Sequence, residues 1–320
     1  PGPLPYTLGM IRTLLNDAAP ARPDVLVLPE LMLPGPLGRD KSGPYGISIP
    51  GPETDALVGL ATEFQMTLVL GVAERVIEKG DSTPSYYNSV VLIDPEGVYG
   101  TYRKLHLTRD DRLWASPGNL GLPTFDTPVG RIGLATGYDV LFPETLRVLA
   151  GKGADLVCAP TLLNFPDPIG LGLSSIRYSY PVAPEGYDPT HYLIWRVRAA
   201  EHHVYLAVAN WHGQWNGVQA NGNSGIFSPT YSAYPWPEVI VEADEPTLTL
   251  MTIDTREQRT GRRSGTTPLN YAPGEMAGSL TGELAYDIRD SIPGNVVRSK
   301  PLLRKRMPFW YLDLVRIRAR

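Results

Sequence analysis

Three short stretches place chemically capable side chains directly after apolar runs. They are Leu28-Pro29-Glu30, Tyr102-Arg103-Lys104-Leu105-His106-Leu107, and LATGYDVLFPE from Leu134 to Glu144. A carboxylate such as Glu30 can take and return a proton, and an ammonium such as Lys104 can steady negative charge developing on a reacting oxygen or nitrogen. The third stretch has the form of a strand entering a sharp turn and a helix, a place where many folds display a nucleophile. Its apex is Gly137, which has no reacting atom. Each stretch has a plainer reading beside this one. Glu30 could cap a turn at the surface, Lys104 could be a solvated charge beside Arg103, and Asp139 could anchor the turn that contains it.

The elements that would position these residues follow from periodicity. Leu8 to Ala18 carries apolar residues at helical spacing, and Pro20 and Pro23 follow it. The run Asp24 to Pro29 is apolar and β-branched, as a strand buried on both faces requires, and it delivers Glu30 to a strand's carboxyl end. Thr54 to Gln65 reads as a helix. Thr67 to Arg75, Tyr87 to Ile93 and Val98 to Arg103 read as strands, the last two joined by the turn Asp94-Pro95-Glu96-Gly97. Strands are also expected at Arg131 to Thr136, Ala154 to Ala159, Val204 to Asn210, Gly225 to Phe227, Val239 to Glu242 and Thr247 to Ile253. Helices are expected at Pro143 to Ala150 and Tyr192 to Ala200. This alternation without a linker predicts one α/β domain over residues 1–255, followed by an irregular, arginine-rich tail over 256–320. Site residues in such folds collect at the strands' carboxyl ends, where the three stretches fall.

Composition narrows the function classes. A chain of 320 residues with 42% hydrophobic and 19% charged residues is globular in character. A net charge of -4 provides no basic field for a phosphate backbone, which argues against nucleic acid. No apolar run approaches the ~20 residues needed to cross a bilayer, so no membrane partner is expected. One cysteine, Cys158, rules out an internal disulfide and fits a reducing, cytoplasmic compartment. Gly-rich phosphate loops are missing, and His191, His202 and His203 lack the companions of a metal site, so no metal and no cofactor are expected.

Taken together and in order, the three stretches resemble the nitrilase, or carbon-nitrogen hydrolase, superfamily. That family carries a Glu in a strand-end PE motif, a Lys in a YRK-like motif and a Cys in a CYDxxFPE-like motif. The corresponding residues are Glu30, Lys104 and Gly137, the last followed by Tyr138-Asp139 and Phe142-Pro143-Glu144. Further matches include Trp114 with Pro117-Gly118, Arg131-Ile132-Gly133, Gly153 to Leu156 with Pro160, Arg198-Ala199 with Glu201, Asn210, and Asp254. The resemblance runs from about Leu8 to Asp254. It implies a four-layer αββα sandwich that pairs with a second copy as a homodimer or larger assembly, with the tail packing on the domain or on a neighbouring subunit. It also implies that Glu30 is a general base and Lys104 a charge stabiliser toward a small amide, nitrile or related nitrogen compound. Many members have a further Glu between the Lys and Cys motifs; Asp110 or Asp111 is the nearest carboxylate here. The family's first strand, before the opening helix, has no counterpart in Pro1 to Tyr6.

Gly137 excludes a thioester at that position. A Cys-to-Gly change would leave the turn unstrained and open space for a ligand. Cys158, in the apolar strand Asp155 to Pro160, reads as an inert core residue rather than a substitute. Three readings stay open: an amidase- or nitrilase-type hydrolase whose nucleophile has been replaced, a thiol-free enzyme using Glu30 and Lys104 on water or on a substrate proton, and a non-catalytic ligand-binding relative. Pocket-wall candidates are Trp114, Tyr138, Asp139, Phe165, Tyr192 and Trp195, each aromatic having an alternative place in the core.

Overall fold

The computed structural model describes residues 4–35, 45–78, 82–163, 189–215, 218–222, 224–229, 238–241 and 248–255. Two mixed sheets lie face to face, each covered on its outer side by helices. The first sheet has the order β1-β2-β3-β4, from Val25–Val27, Thr67–Val76, Ser85–Asp94 and Gly97–Arg103. Strands β1 and β2 run parallel and the rest antiparallel. Helices α1 (Leu4–Ala18) and α2 (Pro52–Phe64) cover it.

The second sheet has the order β12-β11-β8-β7-β6-β5. Its strands are β5 (Thr124–Thr127), β6 (Gly130–Leu134), β7 (Leu156–Thr161), β8 (Tyr205–Asn210), β11 (Gly225–Phe227) and β12 (Val239–Ile240). The central trio β6, β7 and β8 is parallel. A one-turn helix α3 (Gly137–Val140), α4 (Pro143–Gly151) and α5 (Pro189–His202) complete the α-helices among the described residues. Strands β9 (His212–Trp215) and β10 (Val218–Asn221) form a separate hairpin.

Period-two alternation sorts the strand residues into layers. In β2, Leu68, Leu70 and Val72 join Ile11, Leu15, Leu57 and Leu60 in the core beneath α1 and α2. Val69, one step out of phase, meets Val90, Leu92, Tyr102, Leu134 and Leu156 between the sheets. In β7, Leu156 and Cys158 face the inter-sheet core, while Val157 and Ala159 join Leu146, Leu149, Trp195 and Ala199 beneath α4 and α5. Each wholly buried aliphatic side chain contributes about 2 kcal/mol in these layers. The four-layer α/β sandwich expected from the resemblance is thus the observed architecture. The tail 256–320 lies outside the described residues.

Element positions depart from the sequence reading mainly at their ends. The first helix begins at Leu4, ahead of the expected Leu8, and the strand expected over Thr247 to Ile253 is irregular in its described part, 248–253. That segment runs along a cavity of about 1280 Å³ lined also by Val25 to Leu28, Met10 and Ala207 to Trp211. An alternating segment without a ladder partner has nothing to satisfy its backbone as a strand, whatever its side-chain pattern. No described helix is long and apolar enough to cross a membrane.

Candidate active site

Glu30 leaves the end of β1 in a tight turn whose next residue, Leu31, takes the left-handed conformation at φ 52°. The turn crosses directly over β2 at Gly71, whose N–H donates to Pro29 O at 3.0 Å. A Cβ at Gly71 would stand 2.4 Å from Glu30 Cα, so this approach needs glycine. Across the sheets, Trp211 Nε1 donates to Glu30 O at 2.6 Å, and Glu30 N donates to Thr161 O at 3.4 Å. The carboxylate is fixed as well: Oε2 accepts from Leu162 N at 2.8 Å, and Oε1 accepts from Asn88 Nδ2 at 2.7 Å and Lys104 Nζ at 2.6 Å.

Lys104 stands just past β4, its own N–H bonded to Asn88 O and its carbonyl to Gly118 N. Its ammonium lies 2.6 Å from Glu30 Oε1 and 2.8 Å from Asp111 Oδ2, with all three side chains buried. Asp111 opens a short 3-10 turn, Asp111–Leu113, and is held by Thr108 N at 2.9 Å and Thr108 Oγ1 at 2.7 Å. Asn88 Nδ2 bridges the two carboxylates, reaching Asp111 Oδ1 at 2.9 Å. Burial pushes the Glu30 carboxyl up, more strongly than Lys104 pulls it down. Burial also opposes the charge of Lys104, but Asp111 and Glu30 outweigh it and hold the ammonium above the usual lysine range. For Asp111 the attraction of Lys104 and the Thr108 hydrogen bonds overcome burial and keep the carboxyl below its usual range. The cluster is therefore a charged Lys104, a firmly ionised Asp111 and a Glu30 that binds a proton more readily.

The expected elbow is present between β6 and α4. Gly137 opens α3, and Asp139 anchors the turn with no exposed surface. Tyr102 OH donates to Asp139 Oδ2 at 2.6 Å, Thr136 Oγ1 to the same oxygen at 3.2 Å, and His106 N to Oδ1 at 2.8 Å. His106 Nδ1 lies 2.7 Å from Oδ1, and the His106 ring stacks on Phe142 at 3.7 Å. Arg198 of α5 donates to Val140 O at 3.0 Å and Leu141 O at 2.7 Å, satisfying carbonyls at the end of this short helix. The space expected to open above Gly137 is instead filled: a Cβ there would lie 2.3 Å from Thr161 Cγ2.

The remaining sequence candidates divide. Tyr138 is half-buried, with Lys104 Nζ 6.0 Å from its ring centre, and packs edge-on against Phe142. Trp114 is half-buried at the end of the Asp111 turn. Asp139, expected to meet a ligand, has both oxygens engaged by the protein, which makes it an anchor of the elbow. Trp195, expected in a pocket wall, is enclosed in the apolar core beneath α5. Phe165 lies outside the described residues. Cys158 faces the inter-sheet core, and burial pushes its thiol up to about 12. Sequence reasoning passed over Asn88, Thr108, Thr161 and Trp211. Asn88 did leave a signal, being a polar residue inside the apolar run of β3. No group of His, Cys, Asp and Glu arranged to hold a metal occurs among the described residues.

The family described as Carbon-nitrogen hydrolase matches residues 3–262. A nitrilase of Pyrococcus abyssi is 31% identical over 219 residues, covering 68% of this chain and 72% of that protein. The chain spans about half the length of a bifunctional nitrilase/nitrile hydratase of Nicotiana tabacum that it also matches, at 30% identity. Among solved structures, a carbon-nitrogen hydrolase from Helicobacter pylori G27 shares the fold at TM-score 0.65 and 21% identity, covering 98% of this chain and 94% of that one. A mutant of the amidase from Nesterenkonia sp. AN1, in complex with butyramide, shares it at TM-score 0.55 and 22% identity, covering 72% and 79%.

Proposed function

Because the chain belongs to the carbon-nitrogen hydrolase family, we propose that its pocket receives a small amide or nitrile at Glu30 and Lys104 without forming a thioester. The observation that carries this reading is the buried ammonium of Lys104, held 2.6 Å from Glu30 and 2.8 Å from Asp111. Lys104 supplies positive charge toward a carbonyl oxygen or nitrile nitrogen that gains electron density. Asp111 keeps that charge in place, and Glu30 takes and returns a proton. A nitrilase relative and a butyramide-bound amidase of the same fold support the substrate class. Loss of a nucleophile from such a unit costs on the order of 10⁶-fold in turnover in proteases, so ordinary hydrolysis is not expected of the chain as it stands. The elevated Glu30 favours a second reading, in which the carboxylate deprotonates a water that attacks the bound carbon directly.

Calorimetric titration with small amides and nitriles, run beside an ammonia-release assay, tests this reading. Measurable binding that Lys104→Met removes, with no covalent adduct by intact mass, is the expected result. Failure of the whole series to bind would overturn it. Slow ammonia release that Glu30→Gln abolishes would establish the water route.

A further inference from the structure

We infer that Thr161 closes position 137 to any side chain, so that the loss of a nucleophile there is set by two residues and is reversed only by changing both. This rests on reading position 137 as the reacting position. By strand alternation Thr161 points to the same face as Val157 and Ala159, toward α3. A Cβ on Gly137 would meet Thr161 Cγ2 at 2.3 Å, Oγ1 at 2.7 Å and Cβ at 2.8 Å. Rotation about χ1 can clear only one of the two positions held by Cγ2 and Oγ1, because the β-branched side chain always leaves a heavy atom in the other, and Thr161 Cβ is fixed to the strand.

Neither backbone is free to retreat. Strand β7 is paired with β6 as far as Cys158 and with β8 as far as Thr161, which lies opposite Asn210, and its end is tied to Glu30 through Thr161 O and Leu162 N. On the other side, Arg198 holds the carbonyls of Val140 and Leu141, while Tyr102, Thr136 and His106 grip Asp139. The Thr161 hydroxyl is itself committed, donating to Ala159 O at 2.8 Å. Buried without any exposed surface and turned to a backbone carbonyl, it crowds the position where a side chain at residue 137 would begin.

The test is a graded series: Gly137→Cys alone, then combined with Thr161→Ser, Thr161→Ala or Thr161→Gly. The three changes remove first Cγ2, then also Oγ1, then all three atoms. The reagent is iodoacetamide, against a background set by the one native cysteine, buried Cys158. Gly137→Cys alone should lower the unfolding temperature by roughly 3–10 °C, and its thiol should react no faster than that background. Adding the Thr161 changes should recover the unfolding temperature and raise the alkylation rate at least about tenfold, in the order Ser, Ala, Gly. A single Gly137→Cys variant as stable as the parent and as reactive as the double variants would overturn the inference; so would thiols equally unreactive throughout. Should Thr161→Gly unfold the chain, a double-mutant cycle between Gly137→Ala and Thr161→Ala decides the matter, since simple additivity of the two shifts excludes a steric pair. Ammonia release from small amides is read separately. Graded alkylation without ammonia leaves the Thr161 inference standing and removes the hydrolase reading of the pocket.

Discussion

Lys104, Asp111 and Glu30 share one buried volume, and their proton equilibria pull in different directions with pH. Asp111 is held below its usual range, so its contribution to stability is complete above the ordinary aspartate value and is lost as pH falls through the lower native one. Lys104 is held above its range, so its contribution is complete below the ordinary lysine value and is lost as pH rises through the native one. Glu30 is raised and opposes Asp111: the fold gains from its protonation as pH falls. Asp111→Asn should therefore cost about 2 kcal/mol near neutrality, the value of a hydrogen bond to a charged group, and should flatten the decline in urea-determined stability below pH 4–5. An acid limb identical to that of the parent would show that Asp111 does not hold Lys104 as described. Glu30 and Lys104 stood out in the sequence only through the resemblance, since each alone could be a surface charge, and Asp111 was left open beside Asp110; the buried cluster joins Lys104 to Glu30 and to Asp111. Asn88 and Thr161 were not legible, since their roles depend on a register across β2, β3 and β4 and on how closely α3 approaches β7.

At the scale of elements, Gly71 is where β2 yields to the turn carrying Glu30. Gly71→Ala places a methyl group 2.4 Å from Glu30 Cα and 2.4 Å from Leu31 N, both backbone atoms that no rotamer change can move. We expect this substitution to lower unfolding free energy by about 2–3 kcal/mol and to weaken amide binding further than a stability loss alone would. A variant with parental stability and binding would mean that the turn moves freely over β2. The interior strands were readable because continuous apolar runs such as those in β2, β7 and β8 match burial on both faces. Thr247 to Ile253 shows the limit of that reading: alternation describes which side chains could share a face, whereas a strand also needs a neighbour to complete its hydrogen bonds. The hairpin β9–β10 was missed for a related reason, its polar residues carrying little periodic signal.

Across the whole molecule, two sheets with separate helical covers meet over one apolar layer, and polar ties between them gather near Glu30. That residue belongs to the loop after β1, yet it is bonded by Trp211, Leu162 and Thr161, all at the ends of strands in the opposite sheet. Protonating Glu30 leaves Lys104 with one anionic partner in place of two, but it also relieves the larger cost of a buried carboxylate, so the closed site takes the proton more readily than water does. Hydrogen exchange should therefore show the Leu162 amide, corrected for intrinsic rate, keeping or gaining protection as the pH is brought to mildly acidic values. Loss of protection at Leu162 ahead of Val157 would show that a proton on Glu30 does not favour the closed margin. The arrangement behaves like a book bound along one margin: the pages are pressed flat by their apolar faces, and the stitched edge carries the charges of Glu30, Lys104 and Asp111. Acid acts on that stitching through both carboxylates at once: a proton on Glu30 favours the closed margin, and only the loss of the Asp111 charge works to part it.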